Sequence, residues 1–208
     1  MSKRSKRAEQ GFSLLEMIVV VGLAFTVMCF AVMNTMGSSQ NARANAAMDA
    51  IISQLRQARE LAIAKRRNVQ VQFTAPNKIQ LTVLTLPGEP TAAAIPATLL
   101  NDGVPGGLTY TVFAALPDTP MGFGNSTAIN LQQPGGGGTW SCMFTTSGAF
   151  VGTAQSAGTL YQATNNNPVN ASLFIGVVGK TSTARAVTVF GATGRVRSYN
   201  WTGSSWQE

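Results

Sequence analysis

From Phe12 to Met36 the chain runs FSLLEMIVVVGLAFTVMCFAVMNTM, apolar on every face and interrupted by one charge, Glu16. As a helix this stretch would be about 37 Å long at about 1.5 Å per residue, enough to cross a bilayer. Gly37, Ser38 and Ser39 form a polar break. Helical periodicity then returns, with Met48, Ile51, Ile52, Leu55, Ala58 and Ala62 on one face and Asp49, Ser53, Gln57 and Glu60 opposite. That pattern predicts an amphipathic continuation of the first helix over 37–67 that lays its apolar side on a sheet. It should end near Lys65, Arg66 and Arg67, whose charges suit a helix C-terminus and solvated edge. Gly22 and Gly37 are the positions where such a helix would bend or melt most easily.

Beyond Arg67 the period changes to two. Val69, Val71 and Phe73 alternate with Gln70 and Gln72, and Ile79, Leu81 and Val83 with Gln80 and Thr82, across a turn at Pro76 and Asn77. Further short strands are expected over 108–114, 140–145, 149–152, 172–178, 186–190 and 195–201, separated by Gly, Pro and Asn. Two stretches, 87–107 and 117–139, read as long loops. The four glycines Gly135 to Gly138 lack the following Lys and Ser or Thr of a phosphate-binding loop and lead toward a strand. The fold class expected is α+β: one long N-terminal helix, its first half transmembrane, packed on a C-terminal antiparallel β-sheet domain over 68–208.

Composition fits that division. With 45% hydrophobic residues the chain can build a core, and with 11% charged residues and 21 glycines it resembles an exported, loop-rich β domain more than a cytosolic enzyme. The net charge of +7 overstates any affinity for polyanions, because Lys3, Arg4, Lys6 and Arg7, offset by Glu9, precede the apolar segment; without that net +3 the remainder carries +4. There is no histidine, and the carboxylates are scattered without metal-ligand spacing. No catalytic or metal site, and no cofactor, is expected. Cys29 lies in the apolar run and Cys142 in an expected strand, so both should be unpaired.

The basic stretch before the apolar run should stay cytoplasmic and leave the C-terminal part across the membrane. An ordinary secretory signal would carry small residues after its apolar region, but no such site follows Met36, and the small residue Gly11 comes before the run. Cleavage after Gly11 would discard residues 1–11, retain the helix and leave Phe12 as a free amino terminus. Glu16 also needs a partner, since a charged residue at a membrane helix centre costs roughly 2.5–3.5 kcal/mol on insertion scales. The new ammonium of Phe12, on the same helix or on a neighbouring subunit packed in register, would neutralise it.

These residues carry a resemblance. Gly-Phe-Ser-Leu-Leu-Glu before an apolar helix is similar to the class III signal of type IV pilins and type II secretion pseudopilins. The resemblance implies a prepilin peptidase that cuts after Gly11 and methylates Phe12, an assembly role for Glu16, and partners among other pilins or pseudopilins and inner-membrane lipid. Many major pilins have a proline well inside the first helix; here none precedes Pro76, which favours a minor subunit or pseudopilin. FTTSGAF (144–150) and ARAVTVFGATGRVRSY (184–199) resemble the pattern of the GspH/FimT family. The implied function is a non-enzymatic filament subunit of the bacterial inner membrane, single-pass with a periplasmic C-terminal domain, in a type II secretion pseudopilus or a type IV pilus. An unrelated membrane-anchored periplasmic protein is the alternative.

One further surface stands out. On a strand over 195–201, Arg195, Arg197, Tyr199 and Trp201 project to one side, and Lys180 and Arg185 could widen that face. Two guanidiniums beside two rings can pair phosphates and stack bases. FimT-like minor pilins that capture DNA use a Gly-Arg-x-Arg motif, which Gly194, Arg195, Val196 and Arg197 reproduce. The plainer reading has Tyr199 and Trp201 packing on the sheet and the arginines acting as edge charges.

Overall fold

The computed structural model describes residues 13–84, 93–100, 107–131, 139–153 and 163–208. The expectations for Gly11, Phe12 and the glycine run Gly135 to Gly138 lie outside the described residues. Helix α1 spans Leu14–Lys65 and is helical through both Gly22 and Gly37. The chain divides into two compact units, Met1–Ser39 and Gln40–Glu208. In the first, Leu14–Ala31 is long and apolar enough to cross a membrane and has no buried residue. A helix that is apolar all round finds no stripe to bury, which is the composition of a span or signal segment.

In the second unit the helix is amphipathic. Ala44, Ala47, Met48, Ile51, Leu55, Ala58 and Ala62 are buried, whereas Asp49, Ser53, Arg56, Gln57 and Glu60 are exposed. The helix ends on Arg66, at φ 51°, with Arg66 N–H donating to the Ile63 carbonyl and Arg67 N–H to that of Ala62. A left-handed residue just past the last turn satisfies carbonyls that the helix leaves open.

The buried stripe meets two antiparallel sheets. The first comprises β1 (Val69–Thr74), β2 (Lys78–Val83), β3 (Ala93–Ala94), β4 (Thr98–Leu99), β7 (Thr139–Phe144), β8 (Phe150–Thr153) and β9 (Ala163–Pro168). Its order is β3-β2-β1-β7-β8-β9, with β4 also on β2. The second comprises β5 (Thr109–Tyr110), β6 (Ile129–Leu131), β10 (Ala171–Gly176), β11 (Arg185–Phe190), β12 (Arg195–Trp201) and β13 (Trp206–Gln207). Its order is β13-β12-β11-β10-β5, with β6 also on β10. Alternation puts Val69, Val71 and Phe73 of β1, with Ile79 and Leu81 of β2, on the core side, and Leu173, Ile175, Val187 and Val189 do the same from the second sheet. The architecture is therefore α+β: an N-terminal helix, then antiparallel sheets.

Several expectations need correction. The strand expected over 108–114 is only Thr109–Tyr110; Phe113 and Leu116 instead fold over the outer side of the second sheet and join Phe174, Ala184, Ala186, Tyr199 and Trp206 in a second, smaller core. The stretch 117–139 is not one long loop: it holds β6 and a turn in which Asp118 accepts from the N–H groups of Thr119 and Gly124, both at 2.7 Å. β3, β4, β9 and β13 were not expected, because two-residue pairings and the polar run ATNNNP carry no period-two signal.

Hydrogen bonds tie the sheets at β5, where the Tyr110 hydroxyl donates to the Lys78 carbonyl of β2 at 3.2 Å, and again at Gly191. Phe150 N–H in β8 donates to the Gly191 carbonyl at 2.8 Å, Val169 N–H to the Phe150 carbonyl at 2.9 Å, and Gly191 N–H to Asn170 Oδ1 at 2.9 Å. A Cβ on Gly191 would lie 2.6 Å from the backbone N and O of Val169. Gly191→Ala should therefore lower stability by about 1–3 kcal/mol, read as a reduced midpoint in denaturant unfolding. Both cysteines are free. Cys142 is buried, its thiol donating to the Val71 carbonyl at 3.5 Å, and burial pushes its pKa up. Only a thiolate is alkylated readily, so Cys142 should resist iodoacetamide in the folded chain and react on denaturation, with peptide mass spectrometry as the readout.

Candidate functional site

Glu16 sits exposed in the first turn of α1. The remaining candidates lie in Gln40–Glu208, where the register of β12 separates them. Phe190 pairs with Arg195, Thr188 with Arg197 and Ala186 with Tyr199, so Arg195, Arg197, Tyr199 and Trp201 share one face, as alternation requires. Val196, on the other face, packs toward the main core.

Sharing a face does not give the four residues equal access. Tyr199 is 3% exposed. Trp201 lies edge-on to Trp206 at 5.4 Å; Trp206 in turn stacks near Phe174 at 6.0 Å and donates its indole N–H to the Pro117 carbonyl at 2.8 Å. The segment around Phe113 and Leu116 covers this end of the sheet, so the rings are packing residues and only the arginine end of the face is open. The Tyr199 hydroxyl is buried and falls short of hydrogen-bond geometry with any neighbour. It nevertheless lies beside Arg197, and this hydroxyl, then the Glu208 carboxylate, raises the guanidinium pKa above its usual value.

The structure does not bring Lys180 and Arg185 to that face. Lys180 Nζ donates to Gln40 Oε1 at 2.9 Å. Arg185, on the helix side of β11, donates from Nε to Asn45 Oδ1 at 2.6 Å and from a terminal nitrogen to the carbonyls of Ala184 and Ser182 at 2.9 and 3.2 Å. Burial lowers its pKa. Both cations fasten residues 40–45 of α1 to the sheet.

Arg195 and Arg197 gain different neighbours. They line a recess of about 320 Å³ with Met121, Thr188, Phe190 and Thr193. They also line a groove of about 680 Å³ shared with Arg56, Arg59 and Glu60 of α1 and with Glu208. Arg197 pairs with Glu208 at 3.3 Å. Sequence reasoning missed Arg56 and Arg59 because, on a helix, they read as ordinary solvated charges.

Arg59 is held in place by two turns. Gly148, at φ 81°, follows β7, and Gly194, at φ 63°, precedes β12. A Cβ on Gly148 would lie 3.2 Å from Arg59 Nε; one on Gly194 would lie 3.0 Å from it and overlap the Gly148 carbonyl oxygen. The Arg59 Nε–H is buried without a hydrogen-bond partner. The guanidinium is thus positioned by packing between two bare Cα atoms, and the segments 144–150 and 184–199 converge on it.

Chemically, four guanidiniums facing two carboxylates make an anion-accepting groove. Among the described residues no group of His, Cys, Asp and Glu is placed to hold a metal ion. No protein-family model, curated protein or solved structure matches the chain.

Proposed function

We propose that this chain is a subunit of a type IV pilin-like filament, a minor pilin or a pseudopilin, made with a leader that is cut between Gly11 and Phe12. The observation that carries the reading is one uninterrupted helix, Leu14–Lys65, whose first part is apolar on all sides with a single acid and whose last part is a stripe seated on antiparallel sheets. An exposed apolar helix must be taken up by lipid or by like helices. The acid at Glu16 suits helices exchanging between the two, since an amine from a processed neighbour neutralises it only on assembly.

In this reading the protein is not an enzyme. It waits in the inner membrane with Gln40–Glu208 in the periplasm and enters a filament through α1. Capture of DNA at Arg195 and Arg197 is a second use with less support, because Tyr199 and Trp201 are taken up by the small core and phosphate pairing alone is left to the arginines.

Two measurements test the proposal. In cells with an active prepilin peptidase, mass spectrometry of the membrane-extracted chain should find Phe12 as a methylated amino terminus, and Gly11→Val should leave residues 1–11 attached. Retention of 1–11 in the unaltered chain would sink the reading. Glu16→Ala should be cleaved normally yet be recovered in sheared or cross-linked filaments at about a tenth of the unaltered level or less, a loss of about 1.4 kcal/mol in assembly. Equal recovery of the two chains would remove the assembly role of the carboxylate.

A further inference from the structure

The open edge of β12 carries an inference that does not rest on filament assembly, since every residue in it belongs to Gln40–Glu208. β13 pairs with β12 only through Asn200 and Trp201. Two bonds fix which way the backbone points: Trp201 N–H goes to the Ala184 carbonyl, toward β11, and Thr202 N–H to the Ser205 carbonyl, toward β13. By alternation, the N–H and C=O groups of Val196 and Ser198 point to the β13 side, where no described strand reaches them. The same edge forms one wall of the groove whose other wall is Arg56, Arg59 and Glu60.

We propose that this groove is a docking site for an extended acidic segment of a partner protein, which adds to β12 as a strand in line with β13. Main-chain bonds to Val196 and Ser198 supply affinity, and the guanidiniums supply selectivity for carboxylates. An added strand has residues on both sides of the sheet. Those on the outer side meet Arg195 and Arg197, and those on the helix side meet Arg56 and Arg59. Glu208 already shows the pairing: it follows β13 directly and places its carboxylate 3.3 Å from Arg197.

Edge protection alone does not explain the arrangement. Charges that discourage strand pairing sit on the edge strand itself. Arg56 and Arg59 come from the helix, and Arg59 is threaded between Gly148 and Gly194, a placement that a solvated gatekeeper does not require. Nucleic acid fits less well. Single strands bind through bases stacked on rings as well as through phosphates, and the rings of this face are packed away. A phosphodiester backbone accepts hydrogen bonds but donates none, so it would leave the edge carbonyls without partners, whereas a peptide strand satisfies both groups.

The test uses the full chain in detergent micelles and a short peptide in which pairs of glutamates alternate with pairs of threonines, so that both faces carry carboxylates. An oligothymidylate of similar charge is the comparison. The peptide should bind the unaltered chain, weaken about tenfold with Arg56→Glu, and weaken at least as much with Ser198→Pro, which removes an edge donor and leaves every charge in place. Amide hydrogen exchange gives a readout independent of that proline: protection of Val196 and Ser198 should rise when the peptide binds. The proposal is overturned by absent peptide binding, by binding without that protection, by unchanged affinity in a folded Ser198→Pro chain, or by tighter binding of the oligothymidylate.

Discussion

The burial of one helical stripe against two sheets is the interaction on which the rest of Gln40–Glu208 depends. Ile51 and Leu55 are fully buried and each contributes about 1.5–3 kcal/mol relative to exposure. Among the described residues four of the seven buried helix positions are alanines, Ala44, Ala47, Ala58 and Ala62, whose small side chains permit close packing on the strands. Burial of that stripe fixes the rotation of the helix. With the stripe turned inward, Arg56 and Glu60 face solvent and Arg59 lies at the margin, level with the turns that contain Gly148 and Gly194. The groove is therefore a consequence of core packing: nothing on the edge of β12 could gather four guanidiniums without the helix set at that angle.

A second consequence falls on the outer side of the second sheet. An antiparallel sheet packed on a core through one face can leave the other to solvent. Here Phe113, Leu116, Trp206 and Tyr199 cover one part of that other face, and Arg195 and Arg197 share another with Thr188, Phe190 and Met121. The polarity of β12 thus changes along its length, from charged beside the turn at Gly194 to aromatic at Trp201. An open edge at the charged end and a covered edge at the aromatic end, where β13 pairs, follow the same division.

Much of this was legible in the sequence wherever a period was strong. The amphipathic stripe, the hairpin of β1 and β2, and the bounds of β12 follow from spacing alone, because burial on one side imposes the period. The parity of Arg195, Arg197, Tyr199 and Trp201 was equally readable. What covers that face was not: Phe113 and Leu116 are distant in sequence, and a run such as LTYTVFAAL has alternating apolar residues whether it pairs as a strand or folds back as a lid. β9 was unreadable for a different reason: asparagine has low strand propensity, and the segment pairs with β8 at Ala163 and Pro168 with a register shift between them that contains Asn165, Asn166 and Asn167. Arg56 and Arg59 were hidden because the tertiary neighbours that give them a role lie in turns far along the chain.

The two parts of α1 obey opposite rules, and this explains why one helix carries both. Gln40–Lys65 is specified by contacts within the chain: Lys180 and Arg185 hold its start through Gln40 and Asn45, the stripe holds its middle, and Arg66 closes its end. Leu14–Ala31 has no buried residue, so its helicity rests on the bonds within the helix itself and on no packing contact. Joining the parts without a break lets the folded unit supply the nucleated turns from which the apolar part propagates, where nucleation is the unfavourable step. Gly37, Ser38 and Ser39 do not interrupt it, because propagation past a weak helix former costs only a fraction of a new nucleus.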